Sequence, residues 1–474
     1  RQPRALRCGL QAVRTLRRVL WQQQSLEVAF EHSKAGLPAY EHGTLRDLCS
    51  GTLRHWHFYA AVIESLAPPT ASDDARLLMA TTLYEGEHVR TSPGVPSTRA
   101  SRAKLLARAE ACCEPLQLAQ ERQAVREVCA RALALTPQDR QAMHTAASSL
   151  SLPEWLHTRL AAETPLDSYG ELLLRRPDFL ALCVEPGAWG REQYAALLRE
   201  RGYAASPSEL APLGVLLRAR PRDVGALPGI ARQTVHVQDA AQQYGPSLLR
   251  PLRPGTPVLD TCAAPGGKVR ALLRHQPLVR VLALDKGAAR AAAMRATLAA
   301  GGLTQVRVVC ADATQPEAWW DGRPFGAIML DAPCTGSGIL RTRPEAKLRQ
   351  SEASLALLQG QQLALLRATW PLLAEGGELL YTTCSVLAGE NQGVLAEFVA
   401  GEPSAIPAAL APPTRADGAA CAASPEGITF FPSAAHQGGF VALLRKTAPA
   451  VPATPRRPRT RRRRRAFNGS PPGK

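Results

Sequence analysis

The sequence predicts an α/β protein. Its second half should form a parallel, doubly wound sheet, preceded by an all-α segment and a small mixed one. Two observations carry this. After about residue 236, short β-type runs alternate with helical patterns. Up to about residue 145, Ala, Leu, Arg, Glu and Gln dominate, and apolar positions recur at helical spacing.

Taken in order, residues 1–145 open on Leu10, Val13, Leu16, Val19 and Leu20, one stripe of a helix. Breaks fall at 67–73 (APPTASD) and 92–97 (SPGVPS). The segment 146–235 is mixed and punctuated by Pro153, Pro177, Pro186, Pro207, Pro212 and Pro221. In 236–446, strands are expected at 257–262, 279–285, 306–310, 325–331 and 378–384, and helices at 286–300 and 352–373. The runs 428–431 and 439–444 suit a terminal hairpin. Residues 447–474 are rich in Pro and Arg and are expected to be disordered. No internal repeat is visible.

A chain of 474 residues suggests two or three domains at roughly 100–200 residues each. Its 57 Lys and Arg against 40 Asp and Glu leave a charge of +17. Eleven basic residues and no acid lie between Arg445 and Lys474, so the rest is only mildly basic. Such a balance favours a polyanion, nucleic acid before membrane. Eleven cysteines without a CxxC or a Cys/His cluster argue against a disulfide scaffold and a zinc site. Reduced thiols in a cytoplasmic protein, probing no membrane and holding no metal, are expected, with a monomer as the simplest state. The first ten residues are charged with no apolar stretch after them, so no signal peptide is expected. No apolar run approaches the roughly 18 residues of a membrane span.

In an open α/β sheet, ligands bind beyond the carboxyl ends of the strands. The first strand leads into Asp-Thr-Cys-Ala-Ala-Pro-Gly-Gly-Lys at 260–268, where the glycines permit a tight turn close to a ligand. The second strand ends on Asp285, 25 residues past Asp260, near the spacing at which an acid meets ribose hydroxyls. The third leads to Asp312 and the fourth ends on Asp331. Any one of these acids could be a helix cap; acids at three successive strand ends point to a ligand. A pyrophosphate would be repelled there. S-adenosylmethionine, with ribose hydroxyls, an amino group and a cationic sulfonium, suits the crevice better. GxGxxG and GxxxxGK[ST] are both absent.

The fourth strand runs into Asp-Ala-Pro-Cys-Thr-Gly-Ser-Gly (331–338) and the fifth into Thr-Thr-Cys-Ser (382–385). Cys334 and Cys384 should therefore face the same crevice, whereas Cys8, Cys49, Cys129 and Cys310 suit a core. Methylating an exocyclic amine needs no thiol. C5 of a pyrimidine does: a thiolate adding to C6 makes C5 nucleophilic, and its later expulsion restores the ring. Asp331 is placed to hydrogen-bond N3. The residues alone leave open which cysteine attacks.

These motifs, with Glu390-Asn391 after Thr-Cys-Ser-Val (383–386) and Val-Gln-Asp-Ala at 237–240, resemble the RNA cytosine-C5 methyltransferases. Within them, the chain looks like the bacterial 16S ribosomal RNA enzymes of the RsmB (Sun/Fmu) type. Asp-Leu-Cys-Ser-Gly-Thr-Leu-Arg (47–54) and Leu-Pro-Glu-Trp-Leu (152–156) look like landmarks of that group. The resemblance implies a Rossmann-like methyltransferase sheet at 236–446, a NusB-like helical RNA-binding domain at 1–145 and a linker domain between. It implies S-adenosylmethionine held by Cys262, Ala263, Ala264, Pro265, Gly266, Gly267, Lys268, Asp285, Asp312 and Asp331. It makes Cys384 the nucleophile and Cys334 the aid to product release, and it brings Lys268, Arg341 and Lys347 to the RNA. The sequence departs from the pattern at 182–185, Leu-Cys-Val-Glu where Leu-Arg-Val-Asn is usual. The same chemistry on transfer RNA, or a non-catalytic NusB-like assembly factor, would be the alternatives.

Overall fold

The computed structural model describes residues 4–89, 99–221, 223–413 and 421–447. The break expected at 92–97 and the tail from 448 onward lie outside these residues.

Helices fill the first part. In Arg4–Leu20, Leu10, Val13, Leu16 and Val19 are all buried; steps of three spread them over about half the helix circumference, so this helix is covered on a broad face. They pack against Leu45, Leu48, Leu78 and Cys129. The break at 67–73 separates helices Trp56–Leu66 and Asp73–Tyr84, and the Ser72 side chain caps the second by accepting the Ala75 N–H.

The mixed segment holds strands β1 (Leu180–Val184), β2 (Ala205–Pro207), β3 (Gly214–Leu217) and β4 (Val235–Val237). They form an antiparallel sheet in the order β2-β3-β1-β4. Tyr194, Ala195 and Leu198 of helix Arg191–Glu200 cover Leu180, Leu182 and Val184.

A second sheet follows. Its strands are β5 (Pro257–Asp260), β6 (Arg280–Asp285), β7 (Val306–Cys310), β8 (Phe325–Asp331), β9 (Leu373–Thr383), β10 (Ala405–Pro407), β11 (Cys421–Ala423), β12 (Ile428–Phe430) and β13 (Gly439–Lys446). The order is β11-β12-β13-β9-β8-β5-β6-β7, with β10 paired to β13. Strands β5 to β9 are parallel, and β13 lies antiparallel between β9 and β12. The sheet is Rossmann-like, and the order reverses between β5 and β8. The terminal hairpin forms and extends the sheet. Helices Glu352–Thr369 and Gln392–Gly401 cover one face through Leu366, Leu395 and Phe398. Helices Gly267–His275 and Ala288–Ala300 cover the other through Leu272, Met294 and Leu298.

Two details differ from expectation. Strand β9 begins at Leu373, not 378; Gly376 takes φ +69°, and the pairing with β8 shifts register there, which hides the alternation from sequence. Cys310 is exposed rather than buried, because β7 is the sheet edge. Among the described residues, no helix is long and apolar enough to cross a membrane.

Candidate active site

The parallel strands run their carboxyl ends into one cavity of about 520 Å³. Ala264, Asp285, Asp312 and Thr314 line it on the β6–β7 side, and Lys268, Asp331, Cys334, Cys384 and Gln437 on the β8–β9 side.

The turn after β5 is built by backbone. The Thr261 N–H donates to Met329 O at 3.0 Å and the Ala263 N–H to Leu284 O at 2.8 Å, stitching it to both neighbouring strands. Gly266 has φ +99° and opens helix Gly267–His275; a side chain there would also press on Leu298 at 3.3 Å. Of the residues expected to hold a cofactor in this turn, Cys262, Ala264 and Lys268 line the cavity. Ala263, Pro265, Gly266 and Gly267 shape the turn and are not among the lining side chains. Burial pushes the Cys262 thiol up to about 12.

The acids at the strand ends have different settings. Asp285 accepts from the Gly287 N–H at 2.8 Å and pairs with Arg290 at 2.8 Å, an arginine whose side chain is 63% exposed. Asp312 accepts from the Thr314 N–H at 2.9 Å and its hydroxyl at 2.7 Å, and these bonds, the backbone one foremost, hold its carboxyl below the usual range. Asp331 sits 2.6 Å from the Lys268 ammonium and accepts from the Thr382 hydroxyl at 3.1 Å. Burial opposes the Lys268 charge, but Asp331 outweighs it and leaves the lysine above its ordinary value. Asp260 is completely buried, and the Cys262 N–H is the backbone donor that favours its charged form. Burial and then the Asp331 charge push its carboxyl up to about 7.

The two cysteines meet. Their Sγ atoms are 3.2 Å apart, and the Cys384 N–H donates to Cys334 Sγ at 3.3 Å. A set of hydrogen bonds holds the loops that carry them. The Gly338 N–H donates to Cys384 O at 2.9 Å, and the Gly438 N–H to Gly338 O at 2.8 Å. Ser337 and Ser385 share a hydroxyl bond of 2.9 Å. Buried Glu390 accepts from the Thr335 N–H at 2.8 Å and its hydroxyl at 2.6 Å, and Asn391 accepts from Thr383 at 2.6 Å. Glu390-Asn391 thus ties the loop after β8 to the loop after β9.

Sequence reasoning missed Gln437. The available signal was Gly438-Gly439 before a strand, which marks close backbone approach. A Cβ on Gly338 would lie 2.5 Å from the Gly438 carbonyl carbon.

Two expected RNA contacts need correcting. Arg341 is 2% exposed and Lys347 is 4% exposed. Arg341 donates to Ser433 O at 2.6 Å. Lys347 donates to Arg54 O at 2.6 Å and also to Ser151 O, while Arg54 donates to Arg341 O at 3.1 Å. These cations clasp the helical part to the large sheet, because buried carbonyls draw donors as phosphates would. The unusual Glu185 is half-buried and also makes an internal link: it pairs with Arg274 at 2.6 Å and so joins the small sheet to helix Gly267–His275.

A family model described as 16S rRNA methyltransferase RsmB/F matches residues 247–445. The ribosomal RNA small subunit methyltransferase B of Sodalis glossinidius is 33% identical over 405 residues, 83% of this chain and 89% of the relative. This chain belongs to the RsmB/F methyltransferase family. The relative of the same name from Pseudomonas syringae pv. tomato is 46% identical over 214 residues, 44% of this chain and 46% of that one, so this match spans about half of either. The crystal structure of PH0851 superposes with a TM-score of 0.73 at 21% identity, over 94% of this chain and 99% of that one. At that identity the likeness concerns fold alone, and it extends over nearly the whole of both chains.

Proposed function

We propose that this RsmB/F protein transfers a methyl group from S-adenosylmethionine to C5 of a cytosine in 16S rRNA. The observation that carries the reading is the pair of free thiols, 3.2 Å apart, in one cavity with the Lys268–Asp331 ion pair. The donor set fits: Asp285 and Asp312 suit hydroxyls and an amino group, and a carboxylate-rich wall suits a sulfonium. When bound, the donor supplies an electrophilic methyl group.

Cys384 adds as thiolate to C6, the electron pair of the C5–C6 bond shifts to C5, and C5 takes the methyl group, the electrons of the broken S–CH3 bond staying on the donor's sulfur. As C6 is attacked, N3 takes a proton, and Asp331, held by Lys268 and Thr382, accepts the N3–H hydrogen bond; the proton on N3 is what draws charge away from C6. Once the C5 proton passes to water, its electron pair re-forms the C5–C6 double bond, the C6–S bond breaks and Cys384 departs as thiolate, with Cys334 assisting this release. In this reading residues 1–145 form a NusB-like RNA-binding domain, 146–235 a linker domain and 236–446 the methyltransferase domain. The basic tail, 447–474, adds affinity for phosphate.

Bisulfite sequencing of ribosomal and transfer RNA, from cells with and without the gene, tests the proposal. One cytosine of 16S rRNA should lose its protection when the gene is absent. Loss in transfer RNA alone would move the substrate, and no loss anywhere would overturn the reading.

A further inference from the structure

We infer that Gln437 selects the base by accepting a hydrogen bond from the exocyclic amino group of cytosine. This rests on the cytosine-methylation reading above.

Several buried side chains leave a polar atom without a partner, and among those described, Gln437 is the one that also lines the cavity. The residue is 5% exposed, and its Oε1 has no donor. The backbone around it is fixed. Its N–H donates to Asp239 Oδ2 at 3.0 Å, and its carbonyl accepts from His436 Nδ1 at 2.8 Å. The next residue, Gly438, is bonded to Gly338, which is bonded in turn to the Cys384 carbonyl. A Cβ on Gly439 would lie 3.8 Å from Cys384 Cα. Gln437 is therefore held beside the thiols, on the β13 side of the cavity and away from Asp285 and Asp312.

A buried acceptor without a donor is costly, and a ligand that brings the donor relieves the cost. The terminal torsion of a glutamine is soft, so the carboxamide oxygen can turn into the cavity without losing a bond. On the edge of neutral cytosine, O2 and N3 are acceptors and the N4 amino group is the polar donor. Uracil places an oxygen at that corner instead. Gln437 forms no bond to the reacting atoms; it is a specificity-determining residue.

The test compares covalent capture of two synthetic RNAs spanning the mapped site, in the presence of S-adenosylmethionine. One carries 5-fluorocytidine at the target; the other carries the riboside of 2-pyrimidinone, which lacks the 4-amino group. Gln437→Ala should slow capture of the first about tenfold and leave the second unchanged. Gln437→Glu, which keeps an acceptor, should retain most of the rate on the first. Equal loss on both RNAs, or no loss on either, would overturn the inference while leaving the methylation reading intact. Failure of the wild type to capture either RNA would overturn both.

Discussion

Cys334 Sγ lies 3.2 Å from Cys384 Sγ and also accepts the Cys384 N–H at 3.3 Å. A disulfide needs about 2.05 Å, so these are two thiols in contact. Cys384 as hydrogen-bond partner, then burial, push the Cys334 thiol well above its ordinary value. Two thiolates at this separation would repel, which adds to what keeps the Cys334 thiol protonated.

Unequal roles give unequal variants. Cys384→Ala should abolish methyl transfer while leaving RNA affinity within about threefold. Cys334→Ala should accumulate a protein–RNA adduct that survives a denaturing gel. Undiminished transfer in the first, or a clean gel in the second, would reverse or remove the assignments.

Asp260 should make stability depend on pH. Its carboxyl is raised from 3.8 to about 7 in the folded chain. Between those values the folded chain keeps a proton that the unfolded chain has lost. Stability therefore falls as pH rises through this window and levels off above it, by at most roughly 4 kcal/mol. In Asp260→Asn this contribution to the slope disappears. Urea unfolding from pH 4 to 8 should show wild type losing ground to the variant as pH rises. A constant difference between the two would mean Asp260 is ionised throughout.

Glu390 is buried and binds Thr335 twice and Gln362 at 3.3 Å. Burial holds its carboxyl above the usual range despite those bonds. Glu390→Ala strands the Thr335 donors and should cost about 2–4 kcal/mol, read as a lower unfolding midpoint. Glu390→Gln should cost less, since it retains an acceptor.

Lys347 separates a clasp from an RNA contact. Burial pushes its ammonium well below the ordinary value, and it donates hydrogen bonds to two backbone carbonyls. Lys347→Met should lower stability by about 1–3 kcal/mol and leave the salt dependence of RNA affinity unchanged. A phosphate contact would instead reduce the slope of log affinity on log salt by about 0.7–0.9.

The rim of the sheet was legible because it is local. A strand followed by Asp285, Asp331 or the Cys334 loop fixes those residues at a carboxyl end, and parallel order brings the ends together. Strands 306–310 and 325–331 appear with the bounds the sequence suggests. What stayed hidden depends on distant partners. Lys347 finds Arg54 and Ser151, 293 and 196 residues away. Glu185 finds Arg274 at 89. A charge looks the same in sequence whether water, phosphate or a remote carbonyl will satisfy it. Gln437 was invisible for a related reason, since its distinction is a bond it lacks.

Strand β13 lies beside β9 and brings Gly438, Gly439 and Phe440 to the cavity wall. A chain made from the amino end has both thiols outside the ribosome well before this strand emerges. Until residue 446 is free, β9 has an open edge and the Cys384 loop lacks the Gly338–Gly438 contact that steadies it. The newborn polypeptide thus holds its paired sulfurs in an unfinished cavity until β13 has been made and has docked on β9.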